Sequence, residues 1–375
     1  MPPARRYSLY TEAMPTPSSS SAAQSAAKAD DAGDWFPENL ARINERLTQI
    51  AAHPPIVRPV AVFDFDNTCI FRDVGQAVFC YQLQHLHYRL IPEQLAAILP
   101  RAGGQLAGRP LDAIVTTLVD AYRTLFPLLL VGRTAQAQSL PQARLFAALL
   151  LWFTIQARKD ERLGPLYVLP FMAKLLAGFT TDELRFLAVD VVQAAGTEPL
   201  DRATLTVEGP TPIGRIEASY PRGMHPYPEM LALMRRLAGL GIERYVISAS
   251  AEWLVEGAAR WLGFPVDADH VFGIRVRLDA GEVLTISDPP DYPITYREGK
   301  TEVIHRWIGA RPMLVAGDAD TDYEMLTLPE VDIRLLLNRR QRGPIAALYE
   351  DRHILVQGLD LATGRFRPDR ESIQA

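Results

Sequence analysis

The chain contains continuous apolar runs that each stop abruptly at polar residues. One covers residues 60–63 and stops at Asp64, a second ends at Ser248, and a third covers residues 312–317 and stops at Asp318. Apolar runs without alternation are typical of parallel strands that are buried on both faces. The pattern therefore predicts an α/β fold built on a Rossmann-like parallel sheet.

A fourth run, residues 333–337, is apolar apart from Arg334 and predicts one more strand. The residues that follow it, Asn338, Arg339 and Arg340, form a basic turn. Arginine side chains are mostly exposed in folded proteins, so we expect this turn to lie on the surface.

Helical spacing of apolar residues is evident in two parts of the chain. It predicts a first helix over residues 37–52, with Leu40, Ile43 and Leu47 on one face. It also dominates the roughly 150 residues between the first two apolar runs, which is more than a crossover helix needs. We therefore expect a large inserted, all-helical cap domain over residues 76–222.

The cap divides the predicted core into two parts, residues 35–75 and residues 223–375. Residues 1–34 are rich in Ser, Ala and Pro and are expected to be a disordered tail. Within the cap, residues 125–131 and 145–155 are unusually apolar, but neither run is long enough to span a bilayer. Packing inside the cap is the expected role of these runs, and contact with a membrane surface or a lipid-like substrate is the alternative. Three aromatic side chains near the first strand are expected in the core or in a pocket for an amphiphilic or cationic group: Phe71, Phe79 and Tyr81.

Composition excludes several classes of function but does not identify the activity. The chain has 375 residues, 48% of them hydrophobic, which is enough for a sizeable core and two domains. A net charge of -5 gives no general attraction to nucleic acid or acidic membranes. The two cysteines, Cys69 and Cys80, make no disulfide framework. No apolar segment typical of a signal peptide follows Arg5 and Arg6, so we expect a cytoplasmic protein.

Asp64 and Asp66 are the first candidate site residues. They stand one residue apart, so both are expected at the carboxyl end of the first strand, where open α/β sheets bind ligands. Two adjacent carboxylates repel each other unless a cation or a shared proton lies between them. A Mg²⁺ ion would relieve the repulsion and leave Asp64 free to act as a nucleophile. The alternative is that Asp66, Asn67 or Thr68 only caps a helix.

The second run ends in small hydroxyl residues ahead of an amphipathic stretch, residues 252–262. Ser248 and the backbone amide of Ala249 are therefore candidates for holding a phosphate at a helix N-terminus. The alternative is a plain strand-to-helix turn capped by Ser250. Lys300 stands near the start of another helical pattern, where a positive charge opposes the helix dipole. We expect Lys300 to face an anion, and a solvated surface lysine is the alternative.

The third run is followed by three carboxylates within five residues, Asp318, Asp320 and Asp322. The alternative to a functional site is an acidic surface loop. With one carboxylate oxygen from Asp64 and the backbone carbonyl of Asp66, Asp318 would give the incomplete oxygen shell that Mg²⁺ prefers. Asp322 would anchor the loop or hold a metal-bound water.

These motifs in this order, DxDxT, Ser-Ala-Ser, a helix-opening Lys and GDxxxD, resemble the haloacid dehalogenase superfamily of phosphohydrolases. Residues 223–228, the Ser-Ala-Ser motif and Gly273-Ile274 resemble its phosphoserine phosphatase branch. The FDxDNT start and the preceding Trp35-Phe36-Pro37 are similar to bacterial phosphorylcholine phosphatase and its relatives. The resemblance covers residues 35–75 and 220–340.

The resemblance implies a role for each motif residue. Asp64 would attack phosphorus and become an aspartyl phosphate. Asp66 would protonate the leaving alcohol and then deprotonate the hydrolytic water, and Thr68 would orient it. The implied phosphate-binding residues are Thr68, Ser248, Ala249 and Lys300. The implied Mg²⁺ ligands are Asp64, Asp66, Asp318 and Asp322.

The sequence thus predicts a Mg²⁺-dependent phosphomonoesterase for a small phosphorylated metabolite, with no nucleic-acid partner and no membrane span. A phosphotransferase that passes the phosphoryl group to an alcohol uses the same residues and stays open. So does a non-catalytic domain that acts as a binding or regulatory module. A metal-independent dehalogenase is disfavoured because it needs neither Asp66 nor Asp318. The sequence specifies neither the substrate nor the oligomeric state.

Overall fold

The protein is described by a computed structural model that covers residues 33–101 and 103–374. The predicted disordered tail therefore lies outside the described residues, apart from its last two positions. The α-helices in the described ranges are α1 (Pro37–Ala52), α2 (Val74–His85), α3 (Pro92–Ile98), α4 (Leu111–Leu130), α5 (Thr134–Gln138), α6 (Pro141–Lys159), α7 (Gly164–Lys174), α8 (Thr181–Thr197), α9 (Pro228–Gly239), α10 (Glu252–Trp261), α11 (Glu298–Val303) and α12 (Tyr323–Leu326).

The β-strands in the same ranges are β1 (Val60–Phe63), β2 (Ile70–Phe71), β3 (Gln105–Leu106), β4 (Arg109–Pro110), β5 (Arg202–Glu208), β6 (Arg215–Pro221), β7 (His225–Pro226), β8 (Glu243–Ala251), β9 (Val271–Ile274), β10 (Leu278–Asp279), β11 (Val283–Leu284), β12 (Pro312–Gly317), β13 (Ile333–Asn338), β14 (Ile354–Asp360) and β15 (Arg365–Phe366). Short 3₁₀ segments and one π-helical segment complete the regular structure: Ala268–His270, Ile304–Ile308, Asp320–Asp322 and Pro344–Glu350.

Seven strands form the central sheet, in the order β15-β14-β13-β12-β1-β8-β9. Neighbouring strands are parallel from β14 to β9, and only the short edge strand β15 is antiparallel to its neighbour. The predicted parallel α/β sheet is therefore confirmed, and each of the four apolar runs forms one of its strands. The first strand along the chain, β1, lies in the middle of the sheet between β12 and β8.

Burial on both faces explains why β1 is continuously apolar. Ala61 and Phe63 belong to the hydrophobic core on one face of the sheet, and Val60 and Val62 belong to the core on the other face. The predicted first helix is confirmed as α1, whose apolar face is buried in the first of these cores. The sheet is therefore covered on both sides by apolar side chains.

The segment between β2 and β7 forms an insertion with a hydrophobic core of its own. The two strands pair antiparallel, Ile70 with Pro226 and Phe71 with His225, so the chain leaves the core and returns to it at neighbouring positions. The insertion contains α2 to α8, and it also contains two antiparallel hairpins, the short β3-β4 and the longer β5-β6. The sequence prediction of an all-helical cap missed both hairpins. Alternate β6 residues, such as Ile216 and Ala218, are buried in the core of the insertion, which is the pattern of a strand with one covered face.

One helix, α4, is long and apolar enough to cross a membrane when judged by length and composition alone. The apolar run at residues 125–131 is too short by itself, but the apolar positions continue upstream in the same helix, at Leu111, Ile114 and Leu118. One third of the most apolar part of α4 is buried. The absence of a membrane span therefore stays a prediction.

Candidate active site

Polar side chains from three adjacent strands meet at the carboxyl-terminal edge of the sheet. Asp64 directly follows β1, Ser248 lies near the end of β8, and Asp318 directly follows β12. The backbone amide of Asp64 donates to the carbonyl of Ala316 at 2.9 Å, which fixes the end of β1 against β12. Because β1 has neighbours from later parts of the chain on both sides, this is the kind of position at which open α/β sheets bind ligands.

Lys300 is completely buried between two carboxylates. Its Nζ atom donates to Oδ1 of Asp64 and to Oδ1 of Asp322, at 2.6 Å each. Burial by itself lowers the pKa of Lys300, but the charges of Asp322 and Asp64 outweigh burial and raise the pKa above its ordinary value. Lys300 therefore faces anions, as predicted, and the alternative of a solvated surface lysine is wrong.

Asp322 anchors the loop after β12, which is one of the two roles predicted for it. Its Oδ2 atom accepts hydrogen bonds from the backbone amides of Asp318 and Ala319, at 2.9 and 3.2 Å. Gly317 makes this close packing possible, because a Cβ atom added at that position would lie 2.6 Å from the Cβ of Asp322. The first position of the GDxxxD motif thus requires glycine, because Asp322 lies too close to Gly317 to leave room for a Cβ atom.

Thr68 contacts Asp64, the candidate nucleophile, whereas it was expected to orient Asp66. Its Oγ1 atom lies 3.2 Å from Oδ2 of Asp64 and 3.4 Å from Oδ1 of Asp318. The expectation that Thr68 orients Asp66 is therefore corrected. The reason is local, because the amide of Thr68 bonds back to the carbonyl of Phe65 in a turn that brings the hydroxyl to Asp64 at the end of β1.

Three buried carboxylates form a group suited to a hard divalent cation. Oxygen atoms of Asp64, Asp318 and Asp322 lie within 4.8 Å of one another. Burial first, and then the charge of Asp322, raises the pKa of Asp64 well above its ordinary value. Burial also raises the pKa of Asp318, against the lowering effect of Arg339. A cation among these oxygens would stabilise the ionised carboxylates, so the donor set fits Mg²⁺.

Asp66 has a different environment. Its Oδ1 atom accepts from the amide of Val74 at 2.7 Å, and its Oδ2 atom accepts from the hydroxyls of Ser248 and Ser250 at 2.9 and 2.7 Å. Burial first, and then the charge of Asp73, raises the pKa of Asp66 to about 7, although these hydrogen bonds act in the opposite direction. A carboxyl group with this pKa exchanges protons readily near neutral pH.

The hydrogen bonds of Asp66 bear on several sequence predictions. The interpretations of Asp66 and Ser250 as helix caps are wrong, because Ala251 is the N-cap of α10 and Asp73 is the N-cap of α2. Ser248 is buried, and its hydroxyl is engaged with Asp66. The carboxylate of Asp66 lies outside the group of three carboxylates that is suited to a cation. That the backbone carbonyl of Asp66 binds Mg²⁺ stays a prediction.

A cavity of about 280 Å³ opens above these residues. Asp64, Asp66, Ala249 and Asp318 line it. In the described part of the chain, the other predicted site residues lie behind this lining, and these are Thr68, Ser248, Lys300 and Asp322. The structure thus brings all eight predicted site residues to one edge of the sheet and exposes four of them to the cavity.

Three arginines that were not predicted as site residues also line this cavity: Arg72, Arg158 and Arg339. Arg72 has a positive φ of 83° and is fixed by two hydrogen bonds with Asn67, whose φ is 62°. Positive φ values at residues other than glycine are uncommon and frequent at functional sites. Arg72, which lies in the loop directly after the DxDxT motif, is therefore part of the cavity wall.

Arg339 contradicts the prediction of a surface turn. Its Nη1 atom donates to Oδ2 of Asp318 at 2.5 Å. The signal that could have identified it is its position, because Arg339 follows the strand β13 and the carboxyl ends of parallel strands share one edge. Ser250 and Asp73 were also missed as site residues, and Ser250 donates toward Asp73 at 3.3 Å as well as to Asp66.

Comparison with known proteins agrees with the fold. Residues 140–327, half of the chain, match the family model described as haloacid dehalogenase-like hydrolase. The matched segment includes Ser248, Lys300 and Asp318, while Asp64 precedes it. No curated protein matches the chain.

Two solved structures are similar to the chain. A conserved protein of unknown function from Anaerococcus prevotii is 23% identical, with a TM-score of 0.77 over 92% of this chain and 98% of that one. A phosphoserine phosphohydrolase-like protein from Francisella tularensis is 11% identical, with a TM-score of 0.38 over 79% of this chain and 94% of that one. The first similarity supports the fold.

Proposed function

This chain belongs to the haloacid dehalogenase-like hydrolase family, and from that premise we propose that it is a Mg²⁺-dependent phosphomonoesterase for a small organic phosphate. The observation that carries the proposal is the contrast between two carboxyl groups that line one cavity. Asp64 is held by Lys300 and Thr68 and belongs to the carboxylate group suited to a divalent cation, whereas the carboxyl of Asp66 lies outside that group and has a pKa of about 7. Nucleophilic phosphoryl transfer needs one carboxylate that attacks and one carboxyl group that moves a proton.

The proposed reaction has two steps. In the first, a carboxylate oxygen of Asp64 attacks phosphorus, the ester P–O bond breaks, and Asp66 gives its proton to the leaving alcohol oxygen. In the second, Asp66 takes a proton from water, the water oxygen attacks the aspartyl phosphate, and inorganic phosphate leaves with Asp64 regenerated. Ser250 holds the carboxylate of Asp66 in place through both steps.

The proposed Mg²⁺ ligands are the carboxylates of Asp64, Asp318 and Asp322 and the backbone carbonyl of Asp66. When bound, the cation supplies the positive charge that offsets repulsion between a carboxylate nucleophile and a phosphate dianion. Within the protein, Lys300 already offsets part of the negative charge of Asp64 and Asp322 through its bonds to both carboxylates. The surplus of buried carboxylates over buried cations supports the proposed metal dependence.

The proposed phosphate-binding residues are Thr68, Ser248, Ala249 and Lys300. Ala249 lines the cavity directly. Lys300 and Ser248 are bonded to Asp64 and Asp66, so a bound phosphate would exchange places with one of these contacts. We also propose that the enzyme acts in the cytoplasm on a phosphorylated metabolite.

The test is hydrolysis of p-nitrophenyl phosphate with Mg²⁺ and with a chelator. We expect turnover with Mg²⁺, none with chelator, and none in Asp64→Asn. The matched control is Asp269→Asn, an exposed carboxylate that should not affect turnover. Thermal unfolding of each variant would separate lost chemistry from lost structure. Turnover in chelator, or full activity in Asp64→Asn, would contradict the proposal.

A second variant tests the intermediate. Because p-nitrophenolate leaves without a proton donor, Asp66→Asn should retain phosphorylation of Asp64 and slow the hydrolysis of the intermediate. Mass spectrometry of the acid-quenched protein should then detect one added phosphoryl group, located at Asp64 by peptide mapping. Added alcohols distinguish a phosphotransferase, which would form a new phosphate ester in place of inorganic phosphate.

A further inference from the structure

A second cavity, of about 120 Å³, adjoins the catalytic cavity. It lies between the insertion helices α2, α6 and α7 and the end of β8. Most of its wall consists of apolar side chains, among them Val78, Phe79, Leu151, Ile155, Val168 and Met172. Its position between the insertion and the sheet gives it access to the reacting atoms.

The two cavities share one wall. The residues that line both are Asp73, Gln76, Arg158, Leu169, Ala249 and Ser250. Ser250 is the informative member, because its hydroxyl donates to Asp66 at 2.7 Å. In the proposed reaction Asp66 protonates the leaving-group oxygen, so the leaving group lies on the side of the catalytic cavity where Asp66 and Ser250 are. The apolar cavity therefore lies where the organic part of the substrate has to go.

Two polar residues inside the apolar cavity, Gln82 and Thr154, are already engaged by the protein. Gln82 is buried, and its amide donates to the carbonyls of His87 and Leu175 at 3.0 and 3.4 Å. The hydroxyl of Thr154 donates to the carbonyl of Leu151 at 2.8 Å. A buried group that already has a partner gains little from a polar ligand, whereas an apolar ligand leaves these bonds intact.

Charge at the junction of the two cavities does not favour an ionic leaving group of either sign. Asp73 and Arg158 both line the junction, so a single charge on the leaving group would be attracted by one side chain and repelled by the other. Asp73 is also engaged by the amide of Gln76 at 2.7 Å, as the cap of α2. Beyond this junction, most contacts of a bound organic group would be with apolar side chains.

Size limits the group that fits. An apolar cavity of roughly 150 Å³ is known to bind benzene. A cavity of about 120 Å³ therefore holds an apolar group slightly smaller than benzene or a short alkyl chain. We propose that the substrate is the phosphate monoester of an uncharged apolar alcohol of about four to six carbons, with its organic group bound between α2, α6 and α7. This inference rests on the proposed phosphatase function.

The test is a series of n-alkyl phosphates from methyl to octyl, compared with phosphoserine and phosphocholine. Because burial of a methylene contributes about 0.8 kcal/mol, kcat/KM should rise about fourfold per carbon and stop rising near four to six carbons. Alkyl phosphonates, which are not hydrolysed, should bind Asp64→Asn with the same trend in Kd by calorimetry. That second readout does not depend on turnover.

Two variants connect the trend to the cavity. Ala173 lines it from α7, and Ala173→Leu should reduce the hexyl-to-methyl ratio of kcat/KM at least tenfold. The matched control is Ala135→Leu on α5, which is exposed and should keep the wild-type ratio. If Ala173→Leu does not fold, Leu151→Ala enlarges the same cavity and should move the optimum to a longer chain.

The outcomes separate this inference from the function on which it rests. Hydrolysis of p-nitrophenyl phosphate with no gain from methyl to butyl phosphate would overturn the inference and leave the phosphatase proposal intact. Preference for phosphoserine or phosphocholine over butyl phosphate would do the same. A folded, metal-binding protein that hydrolyses none of these esters would overturn both proposals.

Discussion

Arg339 forms an ion pair with Asp318, with 2.5 Å between Nη1 and Oδ2. The two residues follow adjacent parallel strands, β13 and β12, and Asp318 belongs to the carboxylate group suited to Mg²⁺. The guanidinium and a bound cation therefore act on the same carboxylate. A positive charge a few ångströms from a divalent ion repels it by several kcal/mol even when screened by the protein.

Removal of this charge should strengthen metal binding. We expect Arg339→Gln to bind Mg²⁺ about tenfold more tightly than the wild type, as measured by calorimetry without substrate. The matched control is Arg340→Gln, which removes the same charge at the next, exposed position and should change the Kd far less. Weaker Mg²⁺ binding in Arg339→Gln would mean that the guanidinium orients Asp318 for the cation instead of competing with it.

The pKa of Asp66 predicts the pH dependence of turnover. Its acid form, which donates the proton, predominates below the pKa of about 7 and is lost above it. For a substrate with a poor leaving group, kcat/KM should therefore fall about tenfold per pH unit above neutrality. Substrates such as p-nitrophenyl phosphate should show a weaker fall in the first step. A flat alkaline profile for an alkyl phosphate would exclude Asp66 as the proton donor.

The charge of Asp73 contributes to this pKa, second only to burial. Asp73→Asn should therefore lower the pKa of Asp66 and move the alkaline limb of the kcat/KM profile to lower pH. Asparagine caps helices about as well as aspartate, so α2 should stay intact. A measured pH profile that moves upward, or does not move, would show that Asp73 has no electrostatic effect on Asp66.

Loss of Lys300 should be costly for stability. Lys300→Met leaves Asp64 and Asp322 buried without their common cation, and breaking a buried ion pair in this way costs about 3–5 kcal/mol. Urea unfolding at neutral pH measures the loss, and added Mg²⁺ should recover part of it by binding the same carboxylates. Lys159→Met, an exposed position at the end of α6, is the control and should change the free energy of unfolding little. Equal losses in the two variants would contradict the buried ion pair.

Gly317 offers a test of the loop that carries Asp318. A methyl group at this position would lie 2.6 Å from Cβ of Asp322, so Gly317→Ala should displace Asp322 and destabilise the protein by about 1–3 kcal/mol. Mg²⁺ affinity should fall with it. Gly196→Ala is the matched control, because a Cβ atom added there would have open space around it and alanine favours the helix α8, so it should stabilise the protein slightly. Unchanged Mg²⁺ affinity in Gly317→Ala would rule out this role for the glycine.

Local patterns were sufficient to predict the sheet and much of the site. The continuous apolar runs identified β1 and β12, because strands buried on both faces have no polar positions to interrupt them. The run that identified β13 is apolar apart from Arg334. Asp64 and Asp318 were recognised because each directly follows such a run. These signals are local in sequence and do not depend on how the strands are ordered.

Features that depend on strand order were not predictable in this way. Arg339 reaches Asp318 only because β13 is the neighbour of β12, and the same basic turn after an edge strand would lie in solvent. The local pattern indicates a helix cap at Ser250 because it does not specify how far β8 continues past Ser248. The hairpin β5-β6 was missed because its exposed positions, such as Thr204 and Glu217, interrupt the apolar pattern.

The central position of β1 has a consequence for the order in which the protein is made. Asp64 is synthesised early, yet Lys300 is 236 residues away along the chain, and Ser248 is 182 residues from Asp66. At typical translation rates, Lys300 is synthesised roughly 10–50 s after Asp64, the candidate nucleophile with which it pairs. Until β8 has been made, β1 has neither of its sheet neighbours, and β12 is made only after Lys300. The apolar side chains of β1 and the carboxylates beyond it meanwhile depend on solvent or on chaperones. Ribosome-bound chains that end before residue 300 therefore lack the active site, however well their insertion has folded.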